Sequence, residues 1–190
     1  QQTSLKTASL ESHEGLTITA QPLTDTAAYK EKFPKKSPFG AGIVAIQVAF
    51  RNDSDESVKI DVDRIKLNVQ LSEDDRQGLA TLSPEEVANV VLNPHVKDPS
   101  RKIRIPLPIG GSGNSKDKHW VEMEQAARNA SVPGTVVAPH KTMQGLLYFD
   151  LQGQMDLLGS AHLYVPNLTA LENNRALMFF DIDLSRSGSR

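Results

Sequence analysis

The sequence predicts an all-β protein, an antiparallel β-sandwich of about seven strands that carries a short-helix insertion. Apolar and polar residues alternate with period two in several segments, which is typical of strands with one buried face. Clusters of turn-forming residues separate these segments, and strands do not alternate regularly with helices as in a parallel sheet. The 190 residues, 38% of them hydrophobic, suffice for one core. We therefore expect one sandwich domain over residues 15–186, preceded by a flexible lead-in over residues 1–14.

Two segments of the N-terminal half predict strands most clearly. Apolar residues occupy every second position between about residues 42 and 51, and again over residues 65–71. Residues 52–57 between them read Asn-Asp-Ser-Asp-Glu-Ser, side chains that bond their own backbone in turns. Strand, turn and strand together predict a hairpin. An earlier alternating strand begins at Gly15 and ends at Pro22.

The segment 22–41 predicts a long connection between two strands. It carries Pro34 and Pro38, and its lysines are interleaved with aromatic residues, namely Tyr29, Lys30, Lys32, Phe33, Lys35, Lys36 and Phe39. Basic residues beside a few aromatics are common on surfaces, so we interpret the segment as a mobile surface loop. Binding of an acidic partner is the alternative.

The insertion at about residues 83–130 predicts two short helices. Ser83, Pro84 and Glu86 fit the N-cap, the first helical position and the capping box of the first helix. Leu82 and Val87 are spaced for a hydrophobic staple. The second helix is expected over about 117–129. Between the helices, the proline-rich residues 103–109 allow at most an edge strand, and residues 110–115 form a flexible glycine-rich loop.

The C-terminal third predicts four further strands, around residues 135–138, 147–151, 163–165 and 178–184. Two of its segments echo one another: Leu-Leu-Tyr-Phe-Asp-Leu at 146–151 and Leu-Met-Phe-Phe-Asp-Ile at 177–182. Nothing around them matches, so we interpret them as two strands in similar environments and not as a repeat.

The order of these features resembles that of bacterial exported immunoglobulin-like domains. An alternating strand at 44–50 runs into the polar turn at 51–58, and much later Pro139 precedes a short loop, Gly145 and an aromatic strand. The resemblance implies an immunoglobulin-like β-sandwich in a non-enzymatic module of the envelope or the medium. The insertion at 83–130 departs from a minimal sandwich, and an individual function is expected there.

The first residues favour export. They read Gln-Gln-Thr-Ser, without a methionine, which suits a mature start after removal of a signal peptide or a start just after a lipidated cysteine. We expect an exported protein that is periplasmic, secreted or a cell-surface lipoprotein. No window is apolar enough for a transmembrane span.

Composition and spacing argue against several kinds of chemistry. A formal net charge of -2 lacks the basic excess of a nucleic-acid binder, and the absence of cysteine excludes disulfides and thiolate sites. The glycines from Gly110 are followed by Ser-Lys-Asp at 115–117, which does not fit a phosphate-binding loop. Residues 53–57 alternate oxygen ligands like a calcium loop, but Arg64 occupies the position of the closing glutamate.

No catalytic residue, cofactor or metal is therefore predicted. The histidines lack the short spacings of metal ligands and are expected to be exposed or locally bonded (His13, His95, His119, His140 and His162). The leading hypothesis is a non-catalytic envelope module that binds a protein or glycan partner through its loops. The rival is a small-ligand-binding protein or enzyme with a site under the insertion. Its candidate contacts are Lys116, His119, Trp120 and Tyr148.

Overall fold

The computed structural model describes residues 8–72, 74–93 and 118–185. The strands are β1 (Ser9–His13), β2 (Leu16–Leu23), β3 (Ile43–Asn52), β4 (Val58–Lys59), β5 (Lys66–Ser72), β6 (Asp75–Ala80), β7 (Val136–Val137), β8 (Thr142–Asp150), β9 (His162–Val165), β10 (Thr169–Ala170), β11 (Arg175–Ala176) and β12 (Phe180–Asp183). The helices are α1 (Thr26–Lys30), α2 (Pro84–Leu92) and α3 (Lys118–Ala130). Short 3-10 turns occupy Pro38–Ala41, Val62–Arg64 and Met155–Ser160.

The described strands form three antiparallel sheets of four strands each. Sheet I has the order β1-β2-β3-β8, sheet II has the order β12-β9-β5-β6, and sheet III, made of short strands, has the order β11-β10-β4-β7. The protein is therefore mostly β, as predicted, but with more strands than the seven expected. The extra ones are β1, β4, β6, β10 and β11, of which β4, β10 and β11 have only two residues and are too short to show a period-two pattern.

The main core lies between sheets I and II. Each strand of sheet I turns alternate side chains inward, so that Val44, Ile46, Val48 and Phe50 of β3 are all fully buried. They belong to one cluster with inward residues of sheet II, including Leu67, Leu163, Phe180 and Ile182. The alternation predicted for these strands is confirmed.

A second core lies on the outer face of sheet I. Ile43 and Ala45 of β3 and Leu146 and Tyr148 of β8 are buried there. The residues that cover them come from the helices and from the chain around α1, and include Tyr29, Phe33, Val87, Val91, Met123 and Ala127. The helices therefore form a third layer, while the outer face of sheet II faces away from them.

Helix α2 begins as predicted. The Ser83 hydroxyl accepts the backbone N–H of Glu86, and the Glu86 carboxylate accepts the N–H of Ser83, which completes the capping box. Leu82 and Val87, the expected staple pair, are both buried in the second core. Residues 103–109 and the glycine-rich segment at 110–115 lie outside the described residues.

Several expectations are corrected. The lead-in expected over 1–14 includes β1, which pairs along its whole length with β2; residues 1–7 lie outside the described residues. The hairpin expected from residues 42–71 is absent, because β3 pairs with β2 and β8 in sheet I while β5 pairs with β6 and β9 in sheet II. The polar residues after β3 turn the chain between sheets, as sandwiches require.

The segment 22–41 is not the mobile surface loop that was expected, because part of it packs into the second core. Tyr29 and Phe33 are buried in the second core. The Tyr29 hydroxyl donates to the Leu23 carbonyl at 3.0 Å and accepts the Ala45 N–H at 2.8 Å. Because Leu23 and Ala45 face one another in the β2–β3 ladder, this hydroxyl bridges the two strands where their direct pairing ends.

Candidate binding surface

Three of the four candidate contacts at the insertion lie within the described residues, and the structure places them in different surroundings. Tyr148 is 1% exposed, and its hydroxyl donates to the Ala127 carbonyl of α3 at 3.0 Å. Burial raises the pKa of the Tyr148 phenol well above its usual value of 10.0. A phenol held neutral, with its hydroxyl on a backbone carbonyl, joins a helix to a sheet. In this structure Tyr148 packs the helix layer against sheet I.

Trp120 and His119 lie on the first turn of α3. The Trp120 indole N–H donates to the Asn89 side-chain oxygen at 2.7 Å, which ties α3 to α2. The His119 ring is exposed, and its Nδ1 lies 3.7 Å from a carboxylate oxygen of Glu122. Lys116 lies outside the described residues. Of the four candidates, His119 alone is placed both within the described residues and openly at the surface.

The outer face of sheet II presents a different surface. Strand registry aligns Asp181, Tyr164 and Lys66 in one row across three strands. The next row holds Asp183, His162 and Asn68. All six side chains are exposed or half-exposed, since the inward positions of the same strands fill the main core. Polar groups and one aromatic ring therefore share an open, flat face.

An aromatic pair lies at one side of this face. The Tyr164 ring contacts the Phe179 ring, with their centroids 5.4 Å apart and their planes tilted by 49°. Phe179 is 52% exposed and its neighbour Met178 is 62% exposed. Large exposed apolar side chains in a cluster mark interaction sites more often than isolated ones do.

The expected strand at 178–184 starts later than predicted, which explains the exposure of Met178. The strand begins at Phe180, and the Met178 N–H donates at 2.6 Å to the Glu14 carboxylate. Glu11 of β1 likewise accepts the Asp181 N–H at 2.9 Å. The carboxylates of Glu11 in β1 and of Glu14 in the following turn thus accept hydrogen bonds from backbone N–H groups along the edge of sheet II. Edge strands protected in this way do not pair with other chains.

His13 and a network of ion pairs lie at this same edge of sheet II. The His13 ring stacks on Phe180 at 3.7 Å. Arg175 bridges Glu14 at 3.0 Å and Glu56 at 3.3 Å. A partly open cleft of about 450 Å³ lies between β1 and β12. The cleft is lined by residues 8–11 and 181–183.

The calcium-like turn forms local bonds. Asp53 pairs with the Arg51 guanidinium at 2.9 Å, and Asp55 lies 2.8 Å from His140 Nε2. Across the described ranges, no cluster of three or more His, Asp or Glu side chains is arranged to hold a metal ion. None of the helices within those same ranges combines the length and apolarity needed to cross a membrane.

Comparison with known proteins adds little. No protein-family model matches the chain, and no curated protein matches it. A crystal structure described as a functionally unknown protein from Listeria monocytogenes EGD-e is similar over 83% of this chain and 70% of that one. The sequences are 15% identical and the TM-score is 0.36. Similarity at this level carries no argument about function.

Sequence reasoning missed the surface on sheet II. The alternation of residues 178–184 placed Phe179, Asp181 and Asp183 together on one face, which was a usable signal. No local pattern indicates that Tyr164 lies beside Phe179. That contact depends on the pairing of β9 with β12, and registry between separate segments is set by tertiary packing.

Proposed function

We propose that the protein is a non-catalytic, exported immunoglobulin-like module of a bacterial cell envelope that holds a protein or glycan partner. The partner is held through the outer face of sheet II and the loop that precedes β12. This location modifies the expectation of binding through loops alone, since Tyr164 belongs to a strand. The exposed Tyr164–Phe179 pair is the observation that carries the proposal.

Strand order supports the immunoglobulin-like assignment. Such domains pair their first, second and fifth strands in one sheet and their third, sixth and seventh in the other. Apart from β1, the seven longest sandwich strands are, in chain order, β2, β3, β5, β6, β8, β9 and β12. Sheet I contains the first, second and fifth of them, in the order β2-β3-β8. Sheet II contains the seventh, sixth and third, in the order β12-β9-β5. Strand β6 extends sheet II beside β5, as an added strand does in variable-type domains. The helices then replace the strand that would follow.

Export and attachment to the envelope rest on the resemblance described above. Fractionation of cells that express the full gene tests them: the protein is expected in the periplasm, the membrane-anchored fraction or the medium. Recovery in the cytoplasm would overturn this part of the proposal. Metabolic labelling with a fatty-acid analogue separates a lipid-anchored form from a free one.

Binding is tested with the purified chain on a biosensor. Purified cell-wall polysaccharides and solubilised envelope proteins are passed over wild type, Phe179→Ala and His119→Ala. We expect saturable binding to one class, weakened roughly tenfold or more by Phe179→Ala and unchanged by His119→Ala. The reverse pattern would place the partner at the insertion. Turnover of substrates in a hydrolase and transferase panel would contradict the non-catalytic assignment.

A further inference from the structure

We propose that the outer face of sheet II binds a neutral oligosaccharide laid across its strands. This inference rests on the proposed function and specifies its partner. Four strands about 4.8 Å apart span about 14 Å, so the face is wide enough for a short glycan.

The aromatic pair supplies the apolar part of the site. A pyranose ring has a face of C–H groups and an edge of hydroxyls, so it packs its apolar face on an aromatic ring. Tyr164 and Phe179 are tilted by 49°, and two such planes can contact successive sugar rings that are themselves turned relative to one another. Rigid aromatic side chains lose little conformational entropy on binding.

The polar rows supply partners for the sugar hydroxyls. Hydroxyls both donate and accept, and the face offers both kinds of group: acceptor carboxylates on Asp181 and Asp183, the ammonium donor of Lys66, and the amide of Asn68. His162 lies 3.4 Å from Asp181, so these groups are close enough to act on one sugar unit.

The charges of the face favour a neutral ligand. Asp181 shares a row with Lys66, Asp183 lies in the next row, and Arg76 lies on β6 beyond β5. Opposite signs in neighbouring rows give no field of one sign that would attract a polyanion or a polycation. A ligand with many hydroxyls and no net charge satisfies such a surface best.

Gly78 of β6 lets two polar side chains of β5 lie across the neighbouring strand. A Cβ atom at Gly78 would come within 3.0 Å of the Asn68 side-chain oxygen and 3.3 Å of the Lys66 side chain. The lack of a side chain at Gly78 therefore leaves room for the Asn68 amide and the Lys66 stem on the outer face.

Titration followed by NMR tests the inference. The probes are cellohexaose, mannohexaose and chitohexaose, with oligogalacturonate as the charged control. We expect at least one neutral probe to shift the amide resonances of β5, β9 and β12, with saturation. Tyr164→Ala and Phe179→Ala are each expected to weaken that binding roughly tenfold or more. Asn68→Ala tests the polar row, and His119→Ala on α3 is the matched control.

The outcomes separate this inference from the proposed function. If no neutral probe shifts these resonances while an envelope protein binds wild type and not Phe179→Ala, the glycan assignment is wrong and the binding module stands. If neither glycan nor protein binds, both proposals fail. Binding of oligogalacturonate alone, or shifts confined to α2 and α3, would also overturn the inference.

Discussion

The two echoing segments, residues 146–151 and 177–182, share part of their inner face and differ on their outer face. Phe149 and Phe180 hold corresponding positions, and both are fully buried in the main core. The preceding residues, Tyr148 and Phe179, also correspond, yet Tyr148 is 1% exposed and Phe179 is 52% exposed. The expectation that the segments share an environment therefore holds only for part of the inner face, where the counterpart of the buried Leu147 is the exposed Met178.

The helices account for this difference. Helices α2 and α3 lie on sheet I and cover Tyr148, while the described part of sheet II keeps its outer rows at the surface. The sequence of a strand determines which side chains point inward, because successive side chains point to opposite faces of the sheet. It does not determine which other element packs on the outer face. An aromatic residue on an outer position is part of a core in one sheet and part of a surface in the other.

The largest predicted effect is the difference in stability between variants that truncate the two outer tyrosines, Tyr148 and Tyr164. Tyr148→Ala is expected to lower the free energy of unfolding by about 3–5 kcal/mol, because it leaves a cavity in the second core and removes the hydroxyl bond to the Ala127 carbonyl. Tyr164→Ala is expected to cost less than about 1 kcal/mol, since its ring already contacts solvent. Urea unfolding of both variants measures the contrast, and equal losses would mean that sheet II is also covered.

Two strand glycines sharpen the comparison further. A Cβ at Gly145 of β8 would lie 2.4 Å from the backbone nitrogen of Val132, where the chain leaving α3 crosses the sheet. Gly145→Ala is therefore expected to cost about 1–3 kcal/mol. Gly78→Ala meets only side chains that can move, and should change stability by no more than about 0.5 kcal/mol. Thermal unfolding, with wild type as reference, distinguishes the two.

The second core also predicts a dependence on alkaline pH. Burial raises the pKa of Tyr29 from 10.0 to about 12. Because folding favours the neutral phenol, its stabilisation is complete below pH 10 and is lost as the pH rises through about 12. For Tyr29 alone, the loss between about pH 8 and pH 11 is about 1.4 kcal/mol.

Tyr29→Phe is the control for that measurement. The variant is expected to be less stable than wild type at about pH 8, because the Leu23 carbonyl and the Ala45 N–H lose their shared partner. It should then lose less stability than wild type between about pH 8 and pH 11. Urea unfolding at both pH values gives the two differences; parallel losses in both proteins would contradict the assignment to Tyr29.

The smallest predicted effect on stability concerns the N-cap of α2, one of the helices that cover sheet I. Ser83→Ala is expected to cost about 1 kcal/mol, since it removes the acceptor for the Glu86 N–H. Lys66→Ala on the open face is expected to stay within about 0.5 kcal/mol of wild type. Chemical denaturation resolves this difference. A neutral Ser83→Ala would show that α2 is held by packing alone.

Local patterns of the sequence were sufficient for part of this structure. The inward residues of β3 follow from period-two alternation, and the start of α2 follows from Ser83, Pro84 and Glu86. Strand β1 was not predicted, because only its pairing with β2 orders it in a sheet. The burial of Tyr148 could not be predicted for the same kind of reason, since helices distant in the chain cover it.

The amino-acid sequence by itself determined the strand faces, the helix start and the absence of thiol chemistry, because these depend on residue type and on neighbours a few positions away. Tertiary structure decided which strands pair, which sheet the helices cover, and which aromatic residues remain exposed. Those outcomes depend on contacts between segments far apart in the chain, where burial of apolar area selects one arrangement among many that the local patterns allow. The Tyr164–Phe179 pair, on which the proposed function rests, arises at this second level.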